Sequence, residues 1–191
     1  MTSSDDLFVF YDTETTGLDI NFSQIIQIGS VLTDSNFKIL DELDLSSQVL
    51  PWIVPSPDAF LVHKQTACLE NGLSHFEMMR TLREKWLSWG KEKNLIFVSY
   101  NGHRFDEELV RRQFYWNLFD PYITNTNGNR RLDLMSLFQI IGNFFDSKIK
   151  VPKDAEENIS LKLTDLAKEN NISVAVSYTH LRAHETSLHL V

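Results

Sequence analysis

Asp12 and Glu14, two carboxylates two residues apart in FVFYDTETTGL, are where this sequence most readily supports chemistry. The run LFVFYD, residues 7–12, is apolar and rich in β-branched and aromatic types, and reads as a buried strand. Side chains alternate along a strand, so Asp12 and Glu14 face one way where the strand reaches the surface. Carboxylates held that close repel, and either one is protonated or a divalent cation neutralises them. Taken alone, the pattern also fits a solvated strand end. Thr15, Thr16 and Gly17 follow directly, and such small residues let a backbone approach a ligand closely. A third acid, Asp106 in YNGHRFD, follows the strand LIFVS and opens a helix, where its charge suits the helix dipole. By itself it also reads as a plain helix-start acid. Together the two elements allow three acids to converge on metal.

The elements that must position these acids follow from periodicity and punctuation. After the first strand come a turn at Gly17, a strand over 24–33 and a strand over 37–45, two antiparallel hairpins in a row. LPWIVPSPDAF, residues 50–60, carries three prolines and reads as an irregular loop. Leu73 to Lys91 reads as an amphipathic helix with Ser74 as N-cap and Phe76, Met79, Leu82, Trp86 and Trp89 on its apolar face. Trp86 and Trp89 are therefore expected in the core. Helices are expected over 105–118, with Phe105, Leu109, Phe114 and Leu118 inward, over 133–145 and over 160–170. Phe114, Tyr115 and Trp116 cannot all face inward, so one is expected at a groove or interface. Residues 125–129 read as a loop and 148–158 as a polar segment. The order implies an α/β fold, a mixed central sheet flanked by helices.

Composition bounds the rest. A chain of 191 residues, 42% hydrophobic, can bury the core of one domain. A net charge of −8 argues against a general nucleic-acid coat but leaves room for a local basic groove. The single cysteine, Cys68, excludes an internal disulfide framework and fits a reducing cytoplasm, where the protein is expected. No apolar run is long enough to span a bilayer, and the acidic N-terminus is unlike a secretory leader.

FVFYDTETTGL, SQIIQIGSVLTD and SYNGHRFDEELVRRQFYWNLFDPY resemble the exonuclease domain of the exonuclease I family, in the DEDD group of 3′→5′ exonucleases. The resemblance covers residues 7 to about 175. It implies a ribonuclease H-like fold and release of nucleoside 5′-monophosphates from the 3′ end of single-stranded DNA, in repair or recombination. It implies two Mg²⁺ ions, replaceable by Mn²⁺, held by Asp12, Glu14 and Asp106 as the catalytic acids. One ion would activate the attacking water and the other would stabilise the leaving oxygen. Substrate contacts carried over from the family fall on Glu14, Thr15, His63, Arg111, Tyr122 and Lys162, the lysine standing where the family has an arginine. Arg104, Arg112, Arg130 and Arg131 are expected to extend a basic track for the strand. An RNA-directed relative and a non-catalytic nucleic-acid-binding domain are the alternatives. Further family features are a monomer, no membrane, and contact with a single-strand DNA-binding protein through C-terminal domains.

The family places a general-base histidine and a fourth metal-binding aspartate after the last helix, near positions 178 and 183, where this chain has Tyr178 and Ala183. His180 and Glu185 have the five-residue spacing but come two residues late. Read back into codons, VSYTHLRAHET, residues 176–186, resembles a sequencing-library adapter translated in one frame. The exonuclease domain is therefore expected over 1–175, incomplete at its C-terminal end, with 176–191 a non-native tail. On that reading the general base is missing and the polypeptide is weakly active or inactive.

Overall fold

The computed structural model describes residues 6–59, 72–145, 148–154 and 156–172. Its frame is one mixed sheet of five strands: β1 (Leu7–Thr15), β2 (Ile25–Thr33), β3 (Ile39–Ser46), β4 (Leu95–Ser99) and β5 (Arg130–Asp133). The spatial order is β3-β2-β1-β4-β5. β1 pairs antiparallel with β2 and parallel with β4, β2 pairs antiparallel with β3, and β4 pairs parallel with β5. β1 runs on through the acids to Thr15 rather than stopping at Asp12, because Asp12 and Glu14 pair with Gly29 and Gln27 of β2. All five residues of β4 are buried, as a central strand flanked by parallel neighbours requires.

Helix α1 (His75–Trp89) begins in a capping box. Ser74 Oγ accepts the Glu77 amide at 3.2 Å, and Glu77 Oε2 accepts the Ser74 amide at 3.3 Å, which satisfies two orphan N–H groups. Its buried stripe is His75, Met78, Met79, Leu82, Trp86 and Trp89. Phe76, expected inward, is half exposed and packs against Phe119. His75 takes the inward place because its ring is bonded on both sides: Nε2 to Gln113 Oε1 at 2.6 Å, and Nδ1 to Asn117 Nδ2 at 3.3 Å. An amide nitrogen only donates, so Nδ1 is the acceptor and Nε2 carries the proton. Burial holds this imidazole's pKa below the ordinary histidine value.

Helix α2 (Asp106–Trp116) buries Leu109, Val110, Gln113 and Phe114 against the sheet and leaves Tyr115 and Trp116 outside. Leu118, expected on the inner face, is almost fully exposed, because it lies past the helix end with φ 61°. Trp86 sits at the centre of the core, edge-on to Tyr11, Phe97 and Phe114, and its indole N–H donates to Ser30 Oγ at 3.2 Å. β5 is the element that periodicity does not announce. Four residues with two arginines carry no apolar rhythm, and their strand exists through pairing with β4. Helices α3 (Leu134–Phe144) and α4 (Leu163–Glu169) follow along the chain.

Candidate active site

β1 and β4 run parallel and end side by side, then their connections diverge, β1 to β2 on one side and β4 to β5 on the other. That divergence leaves a crevice at the carboxyl ends of the two strands, the usual ligand position of open α/β sheets. A cavity of about 290 Å³ lies there, lined by Asp12, Leu18, Tyr100, Asn101, Phe105, Asp106 and Met135. Two carboxylates thus face one pocket with apolar and aromatic walls.

The local chain explains how Asp106 reaches it. After β4, Asn101 adopts φ 59°, a left-handed conformation that asparagine tolerates better than most residues. Gly102 then settles onto Ser99, with no room for a side chain: a Cβ would lie 2.3 Å from Ser99 Oγ. One short 3₁₀ turn later, α2 opens with Asp106, which is 7% exposed. Asp106 Oδ1 accepts the Thr13 hydroxyl at 2.5 Å. Asp106 thus lines the pocket with Asp12 while one of its oxygens is tied back to β1 through Thr13. Next to it, the buried Glu107 accepts Tyr11 at 3.0 Å, Thr124 at 2.6 Å and Arg131 at 3.0 Å. Burial first, then the charges of Glu107 and Asp106, push the Tyr11 phenol far above its ordinary pKa, so it stays a donor.

Glu14 is 5% exposed and is not among the pocket's lining residues. β1 keeps regular pairing with β2 through Asp12, Thr13 and Glu14, so the two acids share a face of the strand, and the register shifts only after Glu14. Among the described residues, no three carboxylate, imidazole or thiol groups gather closely enough to ligate one ion. Of the three expected acids, Glu14 is buried two residues on from Asp12 in β1, and Asp12 and Asp106 line the crevice. This pair still suits Mg²⁺, a hard cation that takes one or two carboxylates, keeps water and accepts substrate phosphate oxygens.

The expected substrate residues divide. Thr15 is buried and its hydroxyl donates to Gly17 O at 2.8 Å, so it shapes its own turn. The Arg111 guanidinium lies 4.8 Å from the Tyr122 ring centre and bonds Glu108 at 2.6 Å, so these two stand together on the surface. Lys162 is exposed directly after Leu161, whose carbonyl accepts the hydroxyl of the pocket residue Tyr100. Burial and nearby Asp133 push that phenol's pKa up to about 12. Arg130 pairs with Asp6 at 2.9 Å and Arg131 with Glu107 at 3.0 Å. His63, His180 and Glu185 lie outside the described residues. Sequence reading missed Thr13, Glu107 and Asp133 as parts of the site's support. Their only signal was polarity at strand ends and in a first helical turn.

A family model described as Exonuclease (RNase_T) matches residues 9–180, reaching past the 175/176 boundary expected from the sequence. The exodeoxyribonuclease I of Buchnera aphidicola subsp. Acyrthosiphon pisum is 31% identical over 185 residues, covering 93% of this chain and 41% of the relative. The structure of E. coli exonuclease I in complex with a dT13 oligonucleotide aligns with a TM-score of 0.77 at 24% identity, over 88% of this chain and 36% of that one. An ExoI/SSB-Ct complex aligns at 0.79 and 22%, over 94% and 40%. The chain spans about two fifths of the length of the curated relative it matches.

Proposed function

This chain belongs to the exonuclease (RNase_T) family, and on that premise we propose that it hydrolyses single-stranded DNA from the 3′ end, releasing nucleoside 5′-monophosphates. The observation that carries the reading is the pair Asp12 and Asp106 in one crevice at the ends of parallel β1 and β4. Related exonuclease I has been seen with a dT13 oligonucleotide, which supports single-stranded DNA as the substrate. The ExoI/SSB-Ct complex supports a single-strand DNA-binding protein as a partner of the longer relatives. A role in repair or recombination, a cytoplasmic setting and a monomeric state belong to the same proposal.

In this reading Asp12, Glu14 and Asp106 hold Mg²⁺, for which Mn²⁺ substitutes. The bound ion supplies neutralisation of phosphate charge and a more acidic water. The protein does the rest. Thr13 fixes the Asp106 carboxylate through its hydroxyl. Leu18, Phe105, Met135 and Tyr100 offer apolar faces on which a terminal base can stack and from which water is displaced. Arg111 with Tyr122, and Lys162, receive the phosphates and bases farther along the strand. Lysine meets a phosphate as a point charge, without arginine's two-pronged geometry. We further propose that residues 1–175 form the exonuclease domain and that 176–191 contribute nothing to it. A chain ended at Ala175 is then expected to keep the same Tm.

The test is Mg²⁺- or Mn²⁺-dependent release from 3′-labelled single-stranded DNA, single-stranded RNA and duplex DNA by a chain continued past Ala175 through the family's histidine and aspartate, since the polypeptide without them is expected to release label weakly or not at all. Label leaving single-stranded DNA fastest, and stopping in Asp12→Asn and Asp106→Asn without loss of Tm, is the expected result. Faster release from RNA would reassign the substrate. No release beside tight strand binding would make this a binding domain.

A further inference from the structure

One buried carboxylate, Asp133, has no place in the chemistry above, yet it is bonded to both segments that wall the pocket. It is the last residue of β5, 6% exposed, and pairs in register with Ser99 at the end of β4. Its Oδ1 accepts the amides of Asn101 at 3.0 Å, Met135 at 3.0 Å and Ser136 at 3.4 Å. Its Oδ2 accepts the amide of His103 at 3.2 Å. Asn101 and Met135 both line the pocket.

Four amides on one carboxylate are more than α3 requires of its cap. The surplus goes to the turn ahead of Asp106, which has no cap of its own. Neither the 3₁₀ turn Gly102–Arg104 nor α2 receives a side-chain cap from its own leading residue, Asn101 or Phe105. Asn101 is also left-handed, a conformation that persists only where its surroundings hold it. Charge-assisted bonds to the flanking amides of that turn supply the hold. We propose that Asp133 is a positioning residue: it clamps the 101–103 turn to the head of α3 and so sets where Asp106 stands relative to Asp12 and the Met135 wall. The Mn²⁺ and kinetic parts of this inference rest on the exonuclease reading; the exchange part does not.

The test compares Asp133→Asn and Asp133→Ala in the full chain. Asparagine keeps one carbonyl acceptor but turns an amide N–H₂ toward the His103 N–H or its neighbours; alanine removes every acceptor. Three quantities are read: hydrogen exchange at the amides of residues 101 and 103, Mn²⁺ half-saturation by electron paramagnetic resonance, and kcat against KM on 3′-labelled single-stranded DNA. In Asp133→Ala, exchange at both amides is expected to rise at least about tenfold, and Mn²⁺ half-saturation about 10–100-fold, the range of outer-shell ligand supports. kcat is expected to fall while KM stays within about twofold, because orientation rather than binding is lost. Asp133→Asn should shift all three in the same direction by less, and it decides the matter if the alanine variant does not fold. Asp41→Asn, which removes the charge pairing of β3 with Lys85, is the control and should leave Mn²⁺ half-saturation unchanged. Wild-type exchange and Mn²⁺ affinity in both Asp133 variants, or an equal Mn²⁺ effect in Asp41→Asn, would overturn the proposal. Shifts in exchange and Mn²⁺ affinity beside no degradation, even by a chain continued past Ala175 through the family's histidine and aspartate, would leave Asp133's role standing and remove the exonuclease reading.

Discussion

Replacing Gly102 by alanine adds one methyl group at the tightest point of the site. The new Cβ would lie 2.5 Å from Ser99 Cβ, 2.3 Å from Ser99 Oγ and 3.3 Å from Asp106 Oδ2. Carbon atoms in contact rest about 3.5–4.0 Å apart, so the turn is short of space by about 1 Å. Ser99 cannot retreat, because it is buried at the end of β4 and paired with β5. The turn must move instead, carrying the Asn101 and His103 amides off Asp133 and Asp106 away from its place. Overpacking of this kind costs about 1–3 kcal/mol. For a chain of this size each kcal/mol lowers Tm by about 2–4 °C. A misplacement near 1 Å in a reacting constellation costs on the order of 10²-fold in rate. Urea unfolding and the rate of 3′-label release measure both effects. Ser99→Gly removes both clashing atoms at a cost of about 0.5–1 kcal/mol for a strand glycine. The double variant should therefore recover much of the Gly102→Ala loss, with a coupling of at least about 1 kcal/mol. Gly102→Ala at wild-type stability and full rate, or a double variant whose losses simply add, would refute the reasoning.

Other consequences are as direct. His75 is buried neutral with its pKa lowered, so its contribution is complete above the unfolded-chain value of about 6.5 and lost as pH falls from there through the lower folded value. The Tm difference between wild type and His75→Gln should accordingly shrink or reverse between pH 7.5 and 5, and a difference constant with pH would count against it. Thr13→Val keeps the shape but removes the donor to Asp106 Oδ1; a loss of about 1.5–3 kcal/mol in urea, with slowed release, is expected. Trp86→Ala empties the centre of the core and should cost about 3–5 kcal/mol, with the near-ultraviolet circular dichroism of the Tyr11–Trp86–Phe97 group strongly reduced.

The amino-acid sequence alone determined what is local. The alternation in β1, the buried run of β4, the α1 stripe and its Ser74 cap could all be read, because a strand period of two and a helix period of 3.6 are written in consecutive residues. Asp12 and Asp106 stood out for the same reason, as acids where apolar runs stop. Their meeting was a different matter. Thr13 reaches Asp106 across 93 residues, Tyr11 reaches Glu107 across 96, and Asp133 reaches the 101–103 turn across 30 or more. Such contacts leave no period behind, because they depend on which strand lies beside which. β5 shows this most plainly: RRLD has no pattern of its own and becomes a strand because β4 offers a free edge. Spacing chose the acids; the order of the strands, set by long-range pairing and the burial it allows, chose which of them share a pocket and which residues hold them there.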